Sequence, residues 1–217
     1  MGGKPKVRRK LSSARWLERQ ARDPYVAAAK RAGYRSRAAY KLIGLDDRFR
    51  FLRRGGRIVD LGAAPGGWSQ VAAHRVRAGR PGGGVVVALD RAEIAPLANV
   101  RVIQLDAASE DAEATVLAVL GGPADAVVSD MAPATTGHAG TDHLRTVALC
   151  EAALALAERI LRPGGTLVAK VLQGGAEPEL LALLRSRFRR VRHAKPAASR
   201  RESAETYLVA LEFRGAE

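Results

Sequence analysis

Arg57-Ile58-Val59-Asp60-Leu61, running directly into Gly62-Ala63-Ala64-Pro65-Gly66-Gly67-Trp68-Ser69-Gln70, decides the fold. Its first five residues form a short apolar run, the next six are small or turn-forming, and WSQVAAHRVRAG (68–79) is compatible with a helix. Small residues after a first strand let the backbone come close to a ligand. The helix that follows aims its N-terminus into the same crevice. The dinucleotide fingerprint G-x-G-x-x-G is not met, because Ala64 stands where its second glycine belongs and Pro65 follows.

Downstream of this turn, VVVALD (85–90), VRVIQLD (100–106), ADAVVSD (124–130) and GTLVAKV (165–171) are short, Val-rich runs. Helix-compatible stretches such as TDHLRTVALCEAALALAERIL (141–161) alternate with them. Near-continuous apolar strands alternating with helices predict an α/β fold, with a mostly parallel sheet covered on both faces. RRVRHAK (189–195) and TYLVALEF (206–213) have no helix between them and predict an antiparallel C-terminal strand pair. Upstream, a helical segment opens at Ser12 or Ser13, breaks at Asp23-Pro24 and ends at Gly33, and Ser36 is a candidate cap for a second helix over 36–49.

The chain has 217 residues and a formal net charge of +14, with 47% hydrophobic residues, enough for a core. No run approaches the roughly 18 apolar residues that span a bilayer, and the basic N-terminus lacks the apolar region of a secretory signal. The single cysteine, Cys150, excludes an internal disulfide framework and a cysteine-rich zinc site, and it sits in an apolar helix as a core residue would. The four histidines show no ligand spacing, so no metal is expected. A cytoplasmic protein without membrane contact is the expectation.

The charge is unevenly placed. Residues 1–54 carry 17 Lys/Arg against 4 Asp/Glu, residues 55–184 carry 10 against 14, and residues 185–217 carry 9 against 4. Cations interleaved with aromatics over folded sequence point to a polyanion, with nucleic acid the default. The organisation this suggests is a basic flexible arm over 1–11, basic helices over 12–54 that meet the nucleic acid, and an α/β domain over 55–217. Arg35 and Arg37 are the candidate phosphate contacts, and Tyr34 and Tyr40 the candidate base-stacking rings.

Three aspartates close successive strands. Asp90 is placed for a ribose hydroxyl pair, Asp106 for an adenine amino group, and Asp130 lies in Ser129-Asp130-Met131-Ala132-Pro133. Each alone could be a strand-end turn or cap; three together point to a ligand in the crevice at a sheet's carboxyl edge. Lys170 lies inside an apolar strand, where lysine is seldom found unless paired or functional. Lys41 and Glu205 would each be ordinary on their own, and Trp68 is either a cofactor contact or a packing ring.

Ser36-Arg37-Ala38-Ala39-Tyr40-Lys41-Leu42, DLGAAPGGWSQ (60–70), SDMAP (129–133), LVAKV (167–171) and ETYLVA (205–210) together resemble the FtsJ (RrmJ) family, in order and at compatible spacing. That resemblance spans about Ser13 to Phe213. It implies a Rossmann-like, S-adenosylmethionine-dependent methyltransferase acting on a ribose 2′-hydroxyl of RNA. In bacterial members the target is a uridine of 23S rRNA in the large ribosomal subunit. It implies Lys41, Asp130, Lys170 and Glu205 as the catalytic tetrad. Cofactor contacts are implied at Gly66, Trp68, Asp90, Asp106 and Asp130, with Gly62 at the head of the same turn, and a monomeric state. Ala134 departs from the Asn often found after Ala-Pro in bacterial members.

The chemistry agrees with the residues. A 2′-hydroxyl is a weak nucleophile that must be held in line and must lose its proton. Lys170 would take that proton only as a neutral amine, a form favoured by a second ammonium and a sulfonium nearby and opposed by Asp130. Base and orienting group both stay open for it. A nicotinamide-dependent oxidoreductase on the same sheet is disfavoured by the broken fingerprint. An RNA-binding ribosome-assembly factor without turnover is disfavoured by the intact tetrad.

Overall fold

The computed structural model describes residues 23–133, 136–172, 177–200 and 202–215. The predicted arm (1–11), the helical sequence up to residue 22 and Ala134 lie outside them.

Helix α1 (Pro24–Arg31) starts where the break was expected. Asp23 caps it, its Oδ1 accepting from Tyr25 N at 3.0 Å, and proline occupies the first turn. Helix α2 (Ala39–Phe49) begins later than Ser36 suggested, with Ala38 at its N-cap and no side-chain cap. Strand β1 (Arg57–Leu61) leads through the glycine turn into α3 (Gly67–Val76). Then come β2 (Val85–Asp90), β3 (Arg101–Gln104), α4 (Ala112–Leu120), β4 (Ala124–Ser129), α5 (Ala139–Ile160) and β5 (Leu161–Leu172). The chain closes with α6 (Glu177–Arg187), β6 (Phe188–Ala194) and β7 (Glu205–Phe213).

The seven strands are ordered β3-β2-β1-β4-β5-β7-β6. The first five are parallel, while β7 runs antiparallel between β5 and β6. Strand order reverses between β1 and β4, which opens the crevice at their carboxyl ends. Because β7 is antiparallel, its first residue rather than its last reaches that edge. Lys170 pairs with Tyr207 and Leu172 with Glu205.

Alternation along the strands explains the two-sided cover. Val59, Leu61, Val87, Val127, Leu167 and Ala169 face a core completed by α4, α5 and α6. Ile58, Val86, Ala126, Val128 and Val168 face a second core completed by α2 and α3 through Leu42, Leu45, Val71 and Val76. From Ala39 onward the basic N-terminal segment therefore shares the core of the sheet. Cys150 is 2% exposed within the first core, and burial pushes its thiol up to about 12. Among the described residues no helix is long and apolar enough to cross a membrane.

Candidate active site

The turn after β1 is shaped by close approach. Gly62 has φ 70°, and a Cβ there would lie 2.5 Å from Met131 Cγ. Gly66 has φ 111°, with Leu97 filling the space where its Cβ would go. Any larger residue would push the turn off the strand ends.

Beyond it lies a cleft of about 670 Å³, lined by Gly62, Ala64, Asp90, Asp106, Asp130 and Met131 among others. Asp90 is half-buried: Oδ2 accepts from Ala64 N at 2.9 Å and Oδ1 from Ala92 N at 2.8 Å. One carboxylate thus fixes the glycine turn to the end of β2. Asp106 lies two residues past β3, is exposed, and accepts from Ala108 N at 3.0 Å. Gly66 and Trp68 are not among the lining residues. The Trp68 ring is 3% exposed and stacks at 5.6 Å on Tyr207, and its Nε1 donates to Ala38 O at 2.8 Å. Its side chain packs between α2 and α3 and ties the two together.

At the other end of the crevice four chain-distant side chains converge. Lys41 Nζ donates to Glu205 Oε2 at 2.8 Å and stands 3.8 Å from Asp130 Oδ2. Lys170 Nζ lies 3.1 Å from Asp130 Oδ1 and donates to Asp130 O at 2.6 Å. The side chains of Lys170, Lys41, Glu205 and Asp130 are only 9%, 10%, 17% and 18% exposed, so water screens the two cations and two anions little. Burial pushes the Glu205 carboxyl up, but Lys41, with Ser199 Oγ donating at 2.8 Å, holds it below the usual range.

A fifth member escaped the sequence. The Tyr207 hydroxyl lies 2.8 Å from Asp130 Oδ1 and 3.1 Å from Glu205 Oε1, on a fully buried ring. Burial, then the two carboxylates, drives its ionisation well above the ordinary tyrosine value. It is a fixed neutral donor between two anions. The signal was in Glu205-Thr206-Tyr207, since alternate strand residues share a face. Beneath the turn, Asp60 is fully buried and accepts from Ser69 Oγ at 2.6 Å; burial raises its carboxyl to about 7.

The two arginines expected at phosphates, Arg35 and Arg37, make contacts within the fold. Arg35 Nη1 donates to Pro65 O at 3.1 Å and Ala95 O at 2.7 Å, and Nη2 to Pro96 O at 2.6 Å. Arg37 pairs with Asp23 at 2.9 Å and donates to Ala198 O at 2.5 Å. Both guanidinium groups are committed to holding loops, because carbonyls and a carboxylate reach them first. Tyr34 and Tyr40 pack edge-on at 5.9 Å, and Tyr40 meets Tyr25 at 5.4 Å. They form a half-buried cluster one residue from Lys41.

Comparison with known proteins places this geometry. The FtsJ-like methyltransferase family model matches residues 34–213. The chain is 57% identical over 212 residues to a Cereibacter sphaeroides protein named ribosomal RNA large subunit methyltransferase E, covering 95% of this chain and 86% of that one. It is 59% identical over 209 residues to the Paramagnetospirillum magneticum protein of the same name, covering 96% and 86%. A crystal structure from Plasmodium falciparum, described as a ribosomal RNA methyltransferase, superposes with a TM-score of 0.75 at 30% identity, over 84% of this chain and 100% of that one. With the sheet, the glycine turn and the Lys–Asp–Lys–Glu cluster in place, the chain belongs to the FtsJ-like methyltransferase family and is an enzyme of that class.

Proposed function

We propose that this methyltransferase transfers a methyl group from S-adenosylmethionine to a ribose 2′-hydroxyl of large-subunit ribosomal RNA, at a uridine of the 23S rRNA. The observation that carries the proposal is the pair of lysines held by Asp130 and Glu205 at the end of the cleft. The names of the relatives support the choice of RNA.

The cleft fits the cofactor. About 670 Å³ lies within the usual range for small-molecule sites, and its walls mix apolar side chains such as Leu89, Leu105 and Leu149 with carboxylates. Asp90 would hold the ribose diol, Asp106 the adenine amino group, and Asp130 the cationic end. When bound, the cofactor supplies a methyl carbon on a positive sulfur, whose C–S bond breaks as the new O–C bond forms.

This chain's own groups hold the ribose oxygen in place. Lys170, anchored twice to Asp130, and Lys41, anchored to Glu205, present two Nζ donors to that oxygen. They fix its lone pair toward the methyl carbon, and the hydroxyl proton passes either to Lys170 as a neutral amine or, once the O–C bond has formed, to water. Tyr207 keeps the two carboxylates in place. An rRNA substrate also puts the enzyme in the cytoplasm. Mapping 2′-O-methyl groups on rRNA from cells with and without the protein tests the proposal. Loss of one ribose methyl on 23S rRNA is expected; an unchanged map would refute it.

A further inference from the structure

A second concavity, of about 560 Å³, lies on the outer face of α3 and takes no part in the chemistry described. Its walls include Tyr34, Gln70, His74, Arg77, Arg80 and Asn99, and no carboxylate lines it. The sequence dictates its shape. Gln70, Ala73 and His74 share one helical face and Arg77 caps the helix end in a left-handed conformation, while Val71, Ala72 and Val76 on the other face are buried. Ala73 leaves room between the longer side chains. Asn99 is seated closely against Gly79, where a Cβ would fall 2.1 Å from Asn99 Oδ1.

The arginines here differ from those elsewhere on the same surface. Arg35 and Arg37 are spent on carbonyls and Asp23, and Arg75, also on α3, is spent on Asp46 and Asp47. Arg77 and Arg80 are exposed, and among the described residues neither makes a side-chain hydrogen bond or ion pair. Two uncommitted guanidinium groups, an imidazole and the Asn99 amide in a carboxylate-free groove suit an anionic, hydrogen-bonding polymer.

Tyr34 joins this groove to the catalytic cluster, since it lines the groove and packs against Tyr40, next to Lys41. Arg35 is tied to the groove residue Gln70. Gln70 Oε1 accepts from Arg35 N at 2.8 Å, and its Nε2 donates to Gly33 O at 3.0 Å. The guanidinium of Arg35 meanwhile bridges Pro65 to Ala95 and Pro96.

We infer that this groove binds the single-stranded or loop RNA flanking the target nucleotide, with Arg77 and Arg80 on its phosphates and Tyr34 stacking a splayed base. The inference rests on the RNA substrate proposed above and adds the site where that RNA is held. Stacking on an aromatic ring combined with cationic phosphate contacts is the usual mode for unpaired RNA.

The test uses 23S rRNA and large subunits isolated from cells lacking this protein. Filter binding of the RNA and methyl-transfer kinetics are both measured, for the full chain, for Arg77→Gln/Arg80→Gln, and for Ala114→Glu/Ala118→Glu. The last pair changes net charge equally, on exposed positions of α4. The groove variant should weaken RNA binding and raise apparent KM about tenfold. Its log–log salt slope should flatten by about 1.4, for two single-strand phosphates. Its affinity for S-adenosylmethionine should stay unchanged. Tyr34→Phe should retain binding that Tyr34→Ala loses.

Equal effects of the α4 and groove variants, or no effect of the groove variant on RNA binding, would overturn the inference. Wild-type protein that binds the RNA through Arg77 and Arg80 yet transfers no methyl would keep the groove and sink the proposed function instead.

Discussion

The two ends of the crevice are built on opposite principles. At the cofactor end, Asp90 and Asp106 accept from main-chain N–H groups close by in sequence or across one turn, and both keep contact with solvent. At the catalytic end, Lys41, Asp130, Lys170 and Glu205 come from α2, the end of β4, β5 and β7, and most of their surface is buried. The first end is built on main-chain donors and stays open to water. The second is a closed ion cluster whose members satisfy one another, so removing one charge strands its partner.

That contrast predicts a graded series of effects. Lys170→Ala should fall hardest, lowering turnover roughly 10²- to 10⁴-fold. Cofactor affinity should stay nearly intact; single-turnover kinetics and calorimetry read the two. Turnover above about a tenth of wild type would make Lys170 a structural residue. Tyr207→Phe removes only the hydroxyl that spans Asp130 and Glu205. A lost buried hydrogen bond of about 1–1.5 kcal/mol should reduce kcat roughly tenfold. An unchanged kcat would show that the two carboxylates hold their positions without it.

At the cofactor end the effects should move to binding. Asp90→Ala should cost about 1–3 kcal/mol of S-adenosylmethionine affinity, because it strands both the ligand and Ala64 N–H. Asp106→Ala should cost less, since its carboxylate is half in water. The reverse order in calorimetry would make Asp106, not Asp90, the stronger cofactor contact. Arg35→Ala should weaken cofactor binding a few-fold by loosening the Pro65 and Ala95 loops, without altering the salt dependence of RNA binding.

The last effect, on stability and not on activity, concerns Asp60. Its carboxyl sits near 7 in the fold against 3.8 as the ordinary value, so folding favours the neutral acid. The stability this brings is present at low pH and is lost as pH rises from about 4 to 7. Asp60→Asn should therefore melt above wild type at pH 8, with the gap closing toward pH 4. A gap independent of pH would remove the buried acid from the account.

The same contrast explains what the sequence made legible. Strand β1, the turn after it and the strand-end aspartates are local patterns, and β1 and β2 fall on the residues expected. The tetrad was legible through its motifs, although only the antiparallel insertion of β7 explains why Glu205 stands beside Lys41, 164 residues away. The internal partners of Arg35 and Arg37 were not legible, because a guanidinium's partner is chosen by the folded chain: Pro65, Ala95 and Ala198 carbonyls leave no mark in the sequence. Helix α4 was equally silent, since Ala112–Leu120 is so uniformly apolar that helix and strand patterns coincide. Tyr207 passed as a strand aromatic because its hydroxyl gains meaning only from Asp130, 77 residues away.

The central claim is that the buried Lys–Asp–Lys–Glu cluster directs a methyl group to a ribose oxygen. The most direct measurement incubates purified protein with unmodified large subunits and methyl-labelled S-adenosylmethionine, then digests the RNA to nucleosides. One labelled 2′-O-methyluridine per 23S rRNA, absent with Lys170→Ala, is the predicted result. Label on a base, or equal labelling by the Lys170→Ala protein, would contradict it.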